Sequence, residues 1–366
     1  MNKALKMVDG NFSRLAGLGL VLALVAGMSC AGGGAKEEQT MAKSQSIFSA
    51  REIQEAGRTV VVLSRGGDQP LEAKIVPSAG ANLISLVYDG TELIKGPDNL
   101  AEFDGGSRGN PVLYPTPNRV AGGKFSFEGR SFDFGLNDGD RWLHALVRDI
   151  PWEYEINPDG SDGAAVKCWV DFAPGTELFE KFGFDHILSL TFSLDSEGLK
   201  AVYRIENRGD LTLPYGFALH PYFTFPGPRD SAMLCVPAQA HMEAVNLMPT
   251  GKLEPLEGKP WDITKLTPVP ELVLDDVYWG MRPDKPAWVE FRQAGIKVVL
   301  AASEEFTHMV VYIQPQNDFF CVENQTCSTD AHNLYARGLV DESHLLFVEP
   351  GGVHEGWIHF KIGPLP

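Results

Sequence analysis

From Phe48 onward the apolar residues recur at every second position in short runs, with little that reads as a long helix. A period of two places alternate side chains on opposite faces of an extended strand, so each run can bury one face against a second layer. Thr59 to Ser64 (TVVVLS), Glu72 to Ser78 (EAKIVPS) and Asn82 to Gly90 (NLISLVYDG) are β-branched runs closed by turn residues. Phe125 to Phe134 predicts a small hairpin turning at Glu128-Gly129-Arg130. His186 to Asn207 repeats that plan around Asp195-Ser196-Glu197-Gly198, and WVEFR, KVVLAA, HMVVYIQ, FFCVE, HLLFVE and GWIHFKI follow. Strands this numerous, at short intervals, predict an all-β fold: one large antiparallel β-sandwich over residues 48–366, with little helix. The 38 glycines and 25 prolines are scattered, as many turns between short strands require. Met242 to Leu272, with Pro249, Pro255, Pro260, Pro268 and Pro270, is expected to form a long ordered insertion on the surface.

The N-terminus has a different character. Lys3, Lys6 and Arg14 precede an apolar run from Leu15 to Met28, too short for a membrane span and right for the core of a signal peptide. Ser29 before the lone Cys30 resembles a bacterial lipoprotein cleavage box with Cys30 as the acylated residue, although Gly27 stands where such boxes usually carry leucine. Cleavage after Ala31 is the alternative, since Ser29 and Ala31 form a small-x-small pair. Residues 1–30 thus read as a signal segment, and residues 31–47 as a flexible tether. The mature chain is expected outside the cytoplasm, anchored through a lipid on Cys30 or free in the periplasmic or extracellular space. Cys168, Cys235, Cys321 and Cys327 could oxidise there in any of three pairings, but they read as mostly structural. The spacing of Cys321 and Cys327 is not that of a zinc pair.

A formal net charge of −17 argues against nucleic acid or an anionic lipid surface as partner. The polar residues set in apolar surroundings are more informative. In PYGFALHPYFTF (Pro214 to Phe225) a strand ends on His220, held between Leu219 and Pro221, and proline forces the residue before it to be extended. Imidazole can give or take a proton near neutral pH, though on this segment alone a core histidine bonded to a backbone carbonyl is the better account. Arg119 and Asn118 follow two prolines in PTPNRVAGG, His144 lies between Leu143 and Ala145, and Asp275 and Asp276 end an apolar run. Alone, each is explained by a rim salt bridge, a core residue or a solvated turn. Glu323 is harder to dismiss: it follows FFCV, a strand that should be buried, where a carboxylate is costly unless paired or functional.

Together these segments resemble the aldose 1-epimerase (galactose mutarotase) family. The resemblance rests on NRVAGGKFSFEGRSFDF, on Leu143-His144, on HPYF at 220–223, on VENQT followed by DAHNL at 330–334, and on the closing FVEPGGVHEGWIHFKI. The matches keep their order and cover Ile53 to Ile362. The resemblance implies a galactose mutarotase-like sandwich that binds a free sugar in an open cleft and interconverts its anomers without a cofactor or metal. It implies Glu323 as base, His220 as acid, His144 on the ring oxygen or a neighbouring hydroxyl, Arg119 on hydroxyls near the anomeric carbon, and Asp275 on a distal pair. Asn118 would shape the turn. Tyr222 and Trp279 are further candidates for the cleft floor. A histidinium and a carboxylate facing one sugar are expected to stabilise each other's charged form.

Two departures stand out. Ala145 and Leu146 follow His144 where the family usually has glycine, and two acids stand where one is expected, so Asp276 competes with Asp275. The net charge and the lack of a basic cluster near these motifs lean away from a phosphorylated sugar. A non-catalytic carbohydrate-binding lipoprotein, a sugar-phosphate epimerase, and a metal-dependent hydrolase or lyase using His144, His220 and Glu323 remain rival readings. The expected partner is a small sugar, with a monomer or dimer as the working unit and membrane contact only through an anchor at Cys30.

Overall fold

The alternating runs pair into two large antiparallel sheets and a smaller N-terminal one. The computed structural model describes residues 47–144, 146–157 and 163–366. The signal segment, Cys30 and nearly all of the tether lie outside the described residues, as does Ala145.

The first large sheet has nine strands. From one edge it runs Glu153–Ile156, Ala165–Phe172, His186–Leu194, Gly198–Asn207, the C-terminal Val353–Pro364, Ile296–Ala302, Ala287–Phe291, Ala232–Cys235 and Thr267–Pro268. The second has eight. Met248–Glu254, Ala240–Val245, Leu274–Trp279, His308–Ile313, Phe319–Gln325, Ala218–Leu219 and Val112–Leu113 lie in that order, and Tyr222–Thr224 also pairs with Phe319–Gln325. Phe48–Glu55, Arg58–Arg65, Leu71–Val76, Asn82–Tyr88 and Thr91–Glu92 form a five-stranded sheet. Among the described residues no α-helix is longer than six residues.

The period-two pattern explains the layering. Along Ala165–Phe172, Val166, Cys168, Val170 and Phe172 point inward while their neighbours stay partly exposed. Phe291 of the first sheet lies 6.3 Å from Phe320 of the second and 6.4 Å from Phe223, so the inner faces meet through aromatic rings. Fully burying a side chain of this kind contributes about 1.5–3 kcal/mol. Both predicted hairpins form: Phe125 faces Phe132 with rings stacked at 4.7 Å, and Leu194 faces Leu199. Glu128 and Gly129, at φ 46° and 75°, make the left-handed two-residue turn that a hairpin favours.

Two expectations change. Residues 242–272 are not simply a surface insertion: their first part completes the hairpin of Ala240–Val245 and Met248–Glu254 at the edge of the second sheet. Leu256, Ile263, Val269 and Leu272 then bury themselves in the main core, which ties the proline-rich segment down. The four cysteines of the fold are all buried and free, so none of the three pairings forms.

Burial also sets the charge state of the core histidines. His186 is fully buried against Phe172, with Nε2 on the Tyr114 hydroxyl at 2.7 Å and Nδ1 on the Phe184 carbonyl at 2.8 Å. Burial pushes its pKa down to about 3. The folded ring therefore stays neutral while the unfolded chain takes up a proton below about pH 6.5, so this residue's contribution to stability is lost as pH falls from 6.5 toward 3. Replacing His186 with Gln is expected to flatten the dependence of unfolding free energy on pH between 6.5 and 5 by about 1.4 kcal/mol per pH unit. Urea unfolding at several pH values measures this, and an unaltered slope would mean the ring is charged in the folded protein.

Candidate functional site

Phe319–Gln325 is buried at all seven of its positions, on both faces. Phe320 and Val322 face the core with the partners opposite them, Ile313 and Val311. The other face carries Phe319, Cys321, Glu323 and Gln325. Cross-strand partners share a face, so this second row adds Val310 opposite Glu323, and Tyr312 and Asp275 in line with Cys321. Loops close over that face and leave a cleft of about 220 Å³. This is below the roughly 300–1,000 Å³ of pockets for drug-sized ligands and suits a small, compact molecule.

His220 reaches the cleft by register. Ala218 pairs with Gln325 and Tyr222 with Cys321, which puts His220 directly opposite Glu323. Pro221 has no N–H to give, so the ladder breaks between the two short strands, while the His220 N–H donates to the Pro111 carbonyl at 3.1 Å on the other side. The result is a contact of 3.2 Å between His220 Nε2 and Glu323 Oε1, with both side chains almost fully buried. Gln325 donates to the other oxygen, Oε2, at 3.1 Å. Tyr222, two residues on, stacks its ring on His220 at 4.7 Å and 12°.

The remaining residues arrive from one loop system. Asn118 has φ 58° and turns the chain into the short strand Arg119–Ala121, which pairs with Arg141–Leu143 so that Arg119 faces Leu143. The next residue, His144, donates its N–H to the Asn118 carbonyl at 2.8 Å and sets its ring edge-on to His220 at 5.0 Å. Arg119 is fixed on three sides: Nε donates to Asp138 at 2.9 Å, Nη1 donates to Asn118 at 3.1 Å, and Nη2 lies 3.9 Å from Asp275. The DAHNL motif proves to be structural. Asp330 accepts from the Ala121 N–H at 3.0 Å and donates its own N–H to the Arg119 carbonyl at 2.9 Å, clamping that strand in place.

Electrostatics depart from the sequence expectation of a charged pair. Burial, aided by the positive fields of Arg148 and Arg119, pushes His220 down to about 3. Burial, with the nearby Asp275 carboxylate, holds Glu323 well above the usual carboxylate range, against the Gln325 hydrogen bond and Arg119. Both shifts favour the uncharged form, because desolvation outweighs the mutual attraction of the two groups. The 3.2 Å contact between Nε2 and Oε1 gives a proton a short path from one group to the other. His144 is likewise pushed far down, first by burial and then by His220 and the two arginines, and its Nδ1 has no hydrogen-bond partner.

The six residues singled out in the sequence, Asn118, Arg119, His144, His220, Asp275 and Glu323, all line this cleft, as does Tyr222. Trp279 does not; its indole N–H donates to the Asp341 carbonyl at 3.1 Å. Asp276 points the other way: it accepts from His241 Nε2 at 2.7 Å and from the Asp275 N–H at 3.1 Å. Arg108, Val310, Tyr312 and Phe319 also line the cleft and escaped sequence reasoning. For Arg108 the available signal was a lone cation among turn residues in Gly106-Ser107-Arg108-Gly109. A larger cavity of about 540 Å³ beside Trp142 and Lys181 holds no acid–base pair of this kind. Among the described residues no three His, Cys, Asp or Glu side chains are arranged to hold a metal ion.

This is a galactose mutarotase-like sandwich with an acid–base cleft on its second sheet. The sequence pattern of the aldose 1-epimerase family matches residues 66–361, and the chain belongs to that family. Galactose mutarotase from Sus scrofa is 26% identical over 174 residues, covering 42% of this chain and 44% of its own length. The Escherichia coli protein YphB, uncharacterised, is 24% identical over 240 residues, covering 60% and 74%. The chain thus spans less than half of the mutarotase relative it matches. Among solved structures, a galactose mutarotase-like protein from Clostridium acetobutylicum superposes with a TM-score of 0.78 at 19% identity, over 87% of this chain and 99% of that one. Galactose 1-epimerase from Lactobacillus acidophilus gives 0.70 at 14%, over 87% and 100%. Identities this low speak for the fold.

The two neighbouring aspartates should separate cleanly on substitution. Asp276→Asn weakens the hold on buried His241 and is expected to lower stability by about 1–3 kcal/mol. Asp275→Asn relieves a carboxylate that burial already destabilises, so its stability is expected to stay within about 0.5 kcal/mol of the parent. Chemical denaturation of the two variants side by side checks this, and equal losses would contradict the opposite orientations.

Proposed function

We propose that the protein is an aldose 1-epimerase, an isomerase that interconverts the α and β anomers of a free aldohexose in this cleft. The observation that carries the reading is the buried His220–Glu323 contact facing a small polar cleft. Anomer exchange requires a proton on the ring oxygen and a base for the C1 hydroxyl. The C1–O5 bond then breaks to give the open aldehyde, rotation about C1–C2 presents the other face, and reclosure returns both protons. Nothing is oxidised and no second molecule is joined.

A dyad holding a single proton has what this sequence of steps needs. With the proton on His220, the ring donates to O5 while the Glu323 carboxylate accepts from the C1 hydroxyl. Reclosure reverses the transfers and restores the starting state, so turnover in either direction uses the same two groups. Arg119, locked by Asp138 and Asn118, presents a guanidinium of fixed plane to the hydroxyls near C1, and Asp275 accepts from a distal pair. The unpartnered Nδ1 and edge-on setting of His144 fit it to orient a hydroxyl beside the ring oxygen.

The test is polarimetry of freshly dissolved α-glucose and α-galactose. The parent protein is expected to hasten the decay, and Glu323→Gln and His220→Asn to lower kcat/KM by about 10²–10⁴ with the fold intact by circular dichroism. Activity requires one proton on the dyad, and His220 resists a second. The acid limb of kcat/KM should therefore lie well below the ordinary histidine value of about 6.5. Turnover by either variant at the parental rate would end this assignment, and a decay the parent protein leaves unchanged would point to a sugar-binding protein instead.

A further inference from the structure

On the far side of the second sheet from the cleft lies a buried imidazole that takes no part in the proton transfers. His241 stands on Ala240–Val245, the second strand from the edge, with Tyr278 opposite it on one neighbour and Glu254 on the other. Its side chain is only 8% exposed, and the Trp261 ring stacks on it at 4.7 Å and 28°. Cross-strand partners share a face, and Asp276 is two residues from Tyr278 on the same strand. His241, Tyr278, Asp276 and Glu254 therefore all lie on the core side, while Asp275 faces the cleft.

Two hydrogen bonds join this imidazole to the cleft. His241 Nε2 donates to Asp276 Oδ1 at 2.7 Å, and Asp276 Oδ2 accepts from the Asp275 backbone N–H at 3.1 Å. The second bond has its cause in the sheet. Pairing between Leu274–Trp279 and Ala240–Val245 stops at Tyr278, so Asp275 has no cross-strand partner on that neighbour. Its N–H needs another acceptor, and the carboxylate of the next residue supplies one. The imidazole in turn is clamped. Trp261 covers it, and the Tyr278 hydroxyl donates to the Trp261 carbonyl at 2.8 Å, while His241 Nδ1 lies 3.5 Å from Glu254 without a hydrogen bond.

The Asp275 side chain has less to hold it. Its ion-pair partner, Arg119 Nη2, stands 3.9 Å away, beyond hydrogen-bond distance. The aim of this carboxylate is accordingly set by the backbone that carries it, and recognition of a small ligand tolerates errors of only about 0.5 Å.

We propose that His241 is a positioning residue for Asp275: through Asp276 it fixes the backbone from which that carboxylate meets the ligand, and so sets how strictly the cleft discriminates among sugars by hydroxyls remote from C1. This rests on the mutarotase reading and deepens it. The adjacent acids then divide the work, Asp275 toward the ligand and Asp276 as the strut between Asp275 and the imidazole.

A double-mutant cycle of His241→Phe with Asp275→Asn tests this, by polarimetry of galactose and glucose with the full chain. Phenylalanine keeps a ring beneath Trp261 and removes the donor. His241→Phe is expected to raise KM for the better sugar about tenfold with kcat changed less than about threefold, the pattern of lost binding rather than lost chemistry. It should also move the galactose-to-glucose ratio of kcat/KM in the direction that Asp275→Asn moves it. In the Asp275→Asn background the same substitution should add less than about twofold, because the carboxylate it acts on is already gone. His241→Gln, which keeps a donor on a longer side chain, should recover part of the loss. Should the phenylalanine variant fail to fold, His241→Asn, with its shorter amide, takes its place under the same expectations. An equal loss in both backgrounds, or a KM unmoved by removing the donor, would overturn the proposal and leave His241 to the fold alone. If the parent accelerates neither sugar, the mutarotase reading fails by itself, and the link is read without ligand from the amide proton resonance of Asp275. A shift in His241→Phe that His241→Gln partly reverses supports it, and an unchanged resonance in both refutes it.

Discussion

Everything in the cleft depends on one cross-strand pair, His220 opposite Glu323, set on a strand that is buried on both faces. Two ionisable groups in such a place carry a large desolvation cost, and the contact between them is what makes their burial tolerable. The chain meets the cost by holding both groups toward their uncharged forms. Because the dyad arises from strand register, a slip of one residue between the two strands would turn one of the side chains into the core and part the pair. The pairs Ala218–Gln325 and Tyr222–Cys321 on either side of the proline break guard against that slip.

The second sheet supplies Glu323 and Asp275 from regular strands, while the residues that approach from above come from loops and must be braced. The bracing is by backbone contact. The Asn118 carbonyl holds His144, Asp330 holds both ends of Arg119–Ala121, and Asn82 holds Arg108. Each loop cation or imidazole is thus tied to a strand or a buried amide, the rigidity that precise orientation of a small ligand demands. A motif such as DAHNL then belongs to the site without lining it.

The sandwich was legible because alternation in runs such as Ala165–Phe172 reports directly which face is buried. The dyad was legible for a different reason: a carboxylate after FFCV is a costly placement that calls for an explanation, and His220, explicable alone as a core histidine, was picked out by the family resemblance. Orientation was not legible. Asp275 and Asp276 are adjacent and alike in sequence, and only the pleat decides that one faces the cleft and the other His241. Arg108 was missed because its loop has no periodicity and its place at the cleft is set by packing on Phe319, more than two hundred residues away. Residues 242–272 were misjudged because prolines mark irregular backbone but say nothing about whether Ile263 and Val269 are anchored in the core. The charged state of the dyad was misjudged for want of depth, since attraction between partners is apparent in sequence and desolvation is not.

Depth also explains why the two carboxylates of the cleft take different roles. Glu323 is buried beside an imidazole, so its proton is held strongly and can be traded across a single short contact. Asp275 lies nearer the mouth, in the field of Arg119 and partly open to solvent, where burial raises its proton affinity and the guanidinium opposes the rise. The two carboxyl groups thereby sit in different surroundings, one dry and one half-open beside a cation. The sheet achieves this separation with residues two strands apart on a common face. The gradient from dry floor to wet rim that it creates is what the proposed reaction asks for: proton transfer where water is excluded, and hydroxyl recognition where the ligand enters.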